Sequence, residues 1–544
     1  GYCNTSGEIN VFIGCKSGYK NESGVRNVLI GECAGYTDTN GEEAVVIGFG
    51  AGAETTSIQG MVAIGKGAGA SANGGGVYIG IEAGRCSTGS DSIHIGRDSG
   101  KCVGGSRNIT IGEKAGYGSN SGQTGTNNFF VGWYAGSANT NASQSVVIGT
   151  QAGRCITSGD YNIAFGAYSG RGITEACDNI AIGHMALGTC SSSTGHTGHY
   201  NIAIGHEAMN VGPATGAENI TMGCQAACKL TSGACNIIMG KGAGSTGTLT
   251  GCDNIMMGTL SGRDITGANH SVMIGHQSGR ESLSICANVL IGMETGACLC
   301  NGSHNIAMGQ YTMRGSSTLS DNTAASNIAI GQEALKVIAN GANNIALGMQ
   351  SAECLVSGAK HIFIGLEAGR CQCSGTTNVA IGCGALTGSS TVSDNTSSGN
   401  VAIGQKAGRD LSSGAYNTFL GYYAGRCVTT GGSNIVMGTF SGSKLTTGSA
   451  NIFLGVQAAD DGVVTGGDNI AIGCYSGKYL TSGADNIALG KGTMGGGTLT
   501  GDDNIAMGEA AMGGGIITGN SNIAIGVCAA KTLTSGQYNV MFGP

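Results

Sequence analysis

Apolar and polar residues alternate along this chain in a short phrase that returns from one end to the other. The five residues Asn522-Ile523-Ala524-Ile525-Gly526 recur unchanged from Asn201 to Gly205 and from Asn327 to Gly331, and close variants run from Asn10 to Asn539. There are 31 copies, each closed by glycine, usually starting 17 residues apart with gaps from 15 to 22. A period this regular is the signature of a solenoid, in which each repeat is one coil stacked on the next. The apolar spacing is two, the period of a strand, and no capping residue is followed by helical periodicity, so helices are not expected. The expected fold is all-β: a β-solenoid (parallel β-roll or β-helix) of about 31 coils with a 17-residue repeat, forming one continuous domain over residues 1–544.

The consensus coil reads N-I-A-I-G-x-x-A-G-x-x-L-T-S-G-x-x. The second position is Val or Ile in nearly every copy, with Phe129 and Thr418 as exceptions, and the fourth is apolar throughout, as in Ile13, Ile182, Met257 and Leu489. Alternate strand residues share a face, so these two columns are expected to point into the coil. The small eighth position (Ala34, Ser169, Thr493) marks a narrowing of the coil, and the frequent Leu or Ile at the twelfth (Leu230, Leu480, Leu533) completes the interior. Glycines at the fifth, often the ninth and often the fifteenth positions mark corners. A coil of this length has a perimeter of roughly 55 Å, and coils at ~4.8 Å spacing would build a rod on the order of 150 Å long. Asparagine opens most copies, and stacked asparagines can form a side-chain hydrogen-bond ladder along the axis; the alternative is that Asn merely suits the turn before the strand.

On this reading the third position faces outward, yet it carries Phe12, Leu29, Phe130, Met256, Leu290, Phe363, Phe419, Phe453 and many alanines, with only His94, Thr110 and Thr221 clearly polar. An exposed apolar stripe is a surface that soluble monomers avoid. Its expected cover is a second copy of the chain, as in a trimer or bundled filament; another segment of the same chain and a ligand are the alternatives. Longer repeats place Ser/Thr/Gly-rich excursions at Leu187–Tyr200, Arg314–Ser326 and Thr387–Gly399, which read as solvent-exposed loops.

Composition narrows the class. There are 104 glycines but only 2 prolines, which excludes collagen, and the 40% hydrophobic content in register excludes a flexible linker. Charged residues are 11% and the net charge is −7, with no basic patch, which argues against nucleic-acid binding. No apolar run reaches membrane-spanning length, and no signal peptide is visible. The chain opens almost directly into a repeat and stops inside one, so the expectation is a processed or truncated chain, or ends that stack on neighbouring copies.

The run Ala524-Ile525-Gly526-Val527-Cys528-Ala529 resembles the AIGxxA unit of the head repeats of YadA-like trimeric autotransporter adhesins, and the fuller NIAIGxxAG form resembles NxAIGxxAG repeats of viral and phage fibre-like proteins. The resemblance covers nearly the whole chain and implies left-handed parallel β-rolls that trimerise. The repeat here is longer and richer in cysteine, and neither a coiled-coil stalk nor a membrane-anchor barrel is visible.

Several of the 22 cysteines share a column in successive coils. Cys86 with Cys102, Cys354 with Cys371, Cys235 with Cys252, and Cys15 near Cys33 are candidate intercoil disulfides, which would require an oxidising, extracellular setting; the alternative is that they are small buried replacements for Ala or Ser. Cys298-x-Cys300 and Cys371-x-Cys373 lack the spacing of a zinc site, His184, His196, His199 and His206 cluster around one long loop as surface residues, and Gly65–Gly69 mimics a phosphate loop without its spacing. Glycosylation sequons fall at Asn4, Asn21, Asn141, Asn269, Asn301 and Asn395 in expected loops, and at Asn108 and Asn219 in less accessible strand starts. No catalytic arrangement, cofactor or metal site stands out. The expected role is structural: a self-associating extracellular or virion- or cell-surface fibre or filament, without catalysis and without membrane insertion. A glycan- or receptor-binding adhesin is the alternative; ice binding and a tailspike-like hydrolase are weaker ones.

Overall fold

The computed structural model describes residues 1–73, 75–118, 124–189, 195–210, 214–315 and 322–543. Within it the chain is an all-parallel β-solenoid whose strands are three residues long, the middle three of each pentad. Two compact units are present, Gly1–Asn269 and His270–Pro544. A solenoid coil touches only its neighbours, so a long array separates readily into such units. The first carries fifteen strands, Val11–Ile13 to Ile255–Met257, and the second sixteen, Val272–Ile274 to Val540–Phe542, among the described residues. No α-helix is found among these residues; a 3-10 turn at Val392–Asp394 lies in the Thr387–Gly399 excursion.

Strands pair in register, equivalent residue on equivalent residue: Val11 on Val28 and Ile13 on Ile30 in the first unit, Thr418 on Ile435 and Leu420 on Met437 in the second. The turns continue the ladder. The N–H of Cys33 donates to the Cys15 carbonyl, and that of Gly35 to the Ala51 carbonyl, both at 2.9 Å. The backbone around the turns is therefore also bonded to the coils before and after it, which keeps buried peptide groups satisfied.

The interior is narrow and built from four columns. Away from the first and last coils, the first-position asparagines, the third-position residues, the small eighth position and the twelfth-position aliphatics are buried, as at Asn434, Phe419, Ala424 and Val428, while Asn10, Phe12, Leu533, Asn539 and Met541 in those coils are half-buried. Where the eighth position is serine, its hydroxyl donates to the mid-strand carbonyl of the next coil, as Ser17 does to Leu29 at 2.8 Å and Ser441 to Phe453 at 3.1 Å. A buried hydroxyl is tolerated there because it has a fixed acceptor. The Thr387–Gly399 excursion is only partly exposed, with most of its residues half-buried or buried, and it is pinned by two buried side chains. Asn395 donates to the Cys371 carbonyl at 2.9 Å, and Ser397 donates to Gln372 Oε1 at 3.0 Å.

The asparagine ladder is present. The Asn236 side-chain amide donates to Asn219 Oδ1 and to the Gly251 carbonyl, both at 3.0 Å, while its backbone N–H donates to the same Oδ1 at 3.0 Å. Asn434 repeats the pattern on Asn417 and Gly448 at 2.9–3.0 Å. His361 takes an asparagine's place by imitating its amide. Its Nε2–H donates to the Gly375 carbonyl at 3.1 Å, and Nδ1 accepts the Asn378 N–H at 3.2 Å. That requires a neutral ring, and burial holds the imidazole down at about 4.

The fifth-position glycine is obligatory for a different reason from the others. From Gly14 to Gly526 its φ lies between +124° and +142°, beyond the left-handed region open to other residues. At Gly348 a Cβ would lie 2.4 Å from the carbonyl oxygen of Gly365 in the next coil. The seventh position needs only an ordinary left-handed φ, such as +57° at Lys16 and +56° at Tyr423, and there many residue types occur.

Two outcomes follow. Gly348→Ala should unfold its coil locally, seen as lost amide exchange protection around strand Ile345–Leu347, whereas Gly50→Ala, with φ +63° and nothing within 4 Å of its Cβ, should cost only ~1–2 kcal/mol. The second concerns acid. The unfolded chain protonates His361 near its ordinary 6.5, but the folded one resists until about 4, so stability is lost as pH falls between those values, by ~3 kcal/mol in total. His361→Asn should abolish that local pH dependence, read from exchange of the Asn378 amide at pH 7 and pH 4.5.

Candidate self-association face

Strand parity decides which side chains meet water. Asn at the first position points into the coil, so the third must also point in, and the second and fourth must point out. This reverses the expected orientation. Leu29, Phe130, Met256, Leu290, Phe363, Phe419 and Phe453 are buried, and Phe12 is partly buried against the same core; none of the eight forms an outward stripe.

The outward columns are instead the more uniform ones. Of the second- and fourth-position residues in all 31 strands, Thr418 alone is polar and none is charged. Ile163, Ile306, Ile330 and Ile435 are each more than a third exposed, and Phe165 is 54% exposed. Each unit thus displays a flat face two side chains wide, with Ile163 over Ile180 and Phe165 over Ile182 in one, Ile328 over Ile345 and Ile330 over Leu347 in the other. β-Branched residues suit a pleated, half-buried surface and stack on their equivalents. Soluble monomers rarely expose a contiguous apolar face of this kind.

Around the turns the surface is different, because charges there pair along the axis. Lys101 sits between Glu82 at 2.5 Å and Asp98 at 3.2 Å; Lys336 sits between Glu333 at 3.1 Å and Glu353 at 3.4 Å. The threonine column is also committed internally: Thr140 and Thr157 donate to the carbonyls of Thr157 and Thr174 at 2.7 and 3.1 Å.

The other candidate residues divide. All eight proposed staple cysteines, Cys15, Cys33, Cys86, Cys102, Cys235, Cys252, Cys354 and Cys371, are free thiols. In-register stacking holds equivalent Cβ atoms ~4.8 Å apart and parallel, whereas a disulfide draws them to about 3.8 Å. Cys86 and Cys102 are nonetheless within hydrogen-bonding reach of each other, as are Cys354 and Cys371, and burial, with the Cys371 thiol next, pushes Cys354 up to about 11. Among the sequons, Asn4, Asn141 and Asn301 are exposed and Asn269 is half-buried. Asn21 and Asn395 are fully buried, which removes them as acceptors in the folded chain: Asn21 donates to Asp38 at 2.9 Å, and Asn395 holds its own loop closed. Asn108 and Asn219 are buried in the ladder. Of the four histidines, His184 and His206 stack on the surface at 5.2 Å, His199 accepts the Cys177 N–H at 2.9 Å, and His196 is buried rather than superficial, held near a pKa of about 4 by desolvation. No group of three or more His, Cys, Asp or Glu converges on a metal-sized site among the described residues.

The two columns should respond oppositely to substitution. Phe419→Ala should destabilise its coil by ~3–5 kcal/mol, whereas Ile435→Thr should change it by no more than about 1 kcal/mol, measured as local exchange protection because long repeat arrays are not two-state. No family model matches the chain, and no curated protein matches it.

Proposed function

We propose that this chain is a structural, self-associating fibre or filament protein whose outward Ile/Val/Met/Leu columns seat a second copy of the same chain. The supporting observation is the uncharged two-column face in both units, beside turns that carry the charged side chains. A flat repeating face fits best against one with the same axial spacing, and the chain itself is such a partner; two such sheets pack about 10 Å apart with side chains interleaved. The likeness to trimeric adhesin head repeats makes three copies around a common axis the specific arrangement proposed. An extracellular or particle-surface location belongs to the same proposal, with its exposed sequons Asn4, Asn141 and Asn301 as glycan acceptors.

Sedimentation and negative-stain microscopy test this. The chain should form assemblies of uniform width, and Ile163→Lys, Ile306→Lys and Ile435→Lys together should disperse them while leaving the far-ultraviolet spectrum unchanged, because a lysine stem lies along such a face with its charge in water. A wild-type chain that sediments as a monomer at tens of micromolar would overturn the proposal.

A further inference from the structure

Beside the sheet face, centred on the sixth and seventh positions, two similar groupings of side chains occur. In the first unit Trp133, 44% exposed, meets Tyr134 edge-on with centroids 4.7 Å apart. Lys114 from the preceding coil donates to the Tyr134 hydroxyl at 2.7 Å and lies 5.0 Å from its ring, while Arg154 from the following coil lies 5.7 Å from the same ring. In the second unit Tyr422, 41% exposed, packs on Tyr423 at 4.3 Å. Lys406 from the preceding coil donates to the Tyr423 hydroxyl at 3.1 Å and lies 5.3 Å from its ring, with Arg426 at 5.4 Å.

What marks these places is two cations gathered on one aromatic pair. Thirteen Lys or Arg side chains make carboxylate pairs, such as Arg370 with Glu353 at 3.0 Å; Lys114, Arg154, Lys406 and Arg426 are among those with no such pair among the described residues. Arg426 Nε is buried without any hydrogen-bond partner. In a chain of net charge −7, two cations beside an exposed ring with no carboxylate in ion-pair contact, twice over, form a local positive site, with Asp98 and Glu113 acting on Lys114 only at longer range. Each cation is held over an aromatic face, which orients it while leaving hydrogens free for an anion. In the first unit Trp133, Tyr134, Gln151 and Arg154 line a concavity of about 190 Å³.

We propose that these two groupings are binding sites for an acidic saccharide. A sugar ring offers an apolar C–H face to the exposed Trp133 or Tyr422, and its carboxylate or sulfate meets the lysine–arginine pair. The shared chemistry is a pyranose bearing a negative charge. This site lies on the turn columns, apart from the Ser/Thr-rich excursions and the self-association face, and does not depend on assembly.

Trp133 is the only tryptophan, so its fluorescence reports the first site directly. The full-length chain is titrated at low salt with a uronate oligosaccharide, a sulfated oligosaccharide, a neutral oligosaccharide of equal length and a single-stranded oligonucleotide. Saturable quenching by one or both acidic sugars is expected, weakening as salt rises, with the neutral sugar at least tenfold weaker. Which acidic sugar binds more tightly tells carboxylate from sulfate recognition. Lys114→Gln with Arg154→Gln should abolish the quenching and, in calorimetry, halve the stoichiometry; Lys406→Gln with Arg426→Gln should halve the stoichiometry and leave the quenching intact. No response to either acidic sugar at millimolar concentration, equal binding of the neutral sugar, tighter binding of the oligonucleotide, or binding unchanged in the four-substitution variant would each overturn the proposal. Sedimentation of the same samples reads assembly separately, so a monomeric chain that binds, or a filament that does not, tells the two proposals apart.

Discussion

An asparagine side chain inside a dry coil must find partners for two amide hydrogens and a carbonyl, and in this chain it finds them in the coils before and after. That requirement does more than stabilise. It fixes the residue just before the strand inward, and alternation then fixes the direction of the next three. It also fixes register, because Asn236 can reach Asn219 and Gly251 together only if the coils are stacked residue for residue. The flat apolar face, the axial charge pairs and the repeated aromatic–basic groupings all follow from that register. Where His361 stands in the column, the bonding scheme is kept and only the chemistry of the group changes, which shows how tightly the scheme constrains what can occupy the place.

The fold was legible in the sequence because its cause is repetition. The Asn-Ile-Ala-Ile-Gly phrase, its two-residue apolar period and its recurring glycine specify a parallel solenoid without reference to any long-range contact, and the ladder of asparagines was readable from the same phrase. The eighth position was readable as well: Ala34 and Ser169 are small because the interior closes there. The inward-facing side was misjudged. Uniform Val and Ile at the second and fourth positions suggest a core, but uniformity there reflects stacking on a half-exposed sheet. The signal that resolves it was available: buried Asn10-type residues and Phe12-type residues are two apart and must share a face. The charged and aromatic sites were harder to see, since Lys114, Trp133 and Arg154 come from three successive coils and become neighbours only through stacking.

Glycine acts at two levels in this architecture. At the fifth position it is required by both φ and the approach of the next coil, so coil contacts and local conformation agree on one residue type. At the ninth, Leu187, Met209, Ala459 and Met512 adopt the same left-handed turn in its place and bury their side chains, converting a conformational cost into core volume.

In-register stacking also bears on how such a chain can change length. A duplication or loss that spans one whole repeat joins two strands that were already interchangeable, so genetic recombination between repeats yields a foldable product at once. A slip of a single residue has the opposite result: it turns asparagine out and isoleucine in for that coil and breaks the ladder on both sides. Copy number is therefore the cheapest heritable variable this protein has, and reading position within the repeat the most expensive.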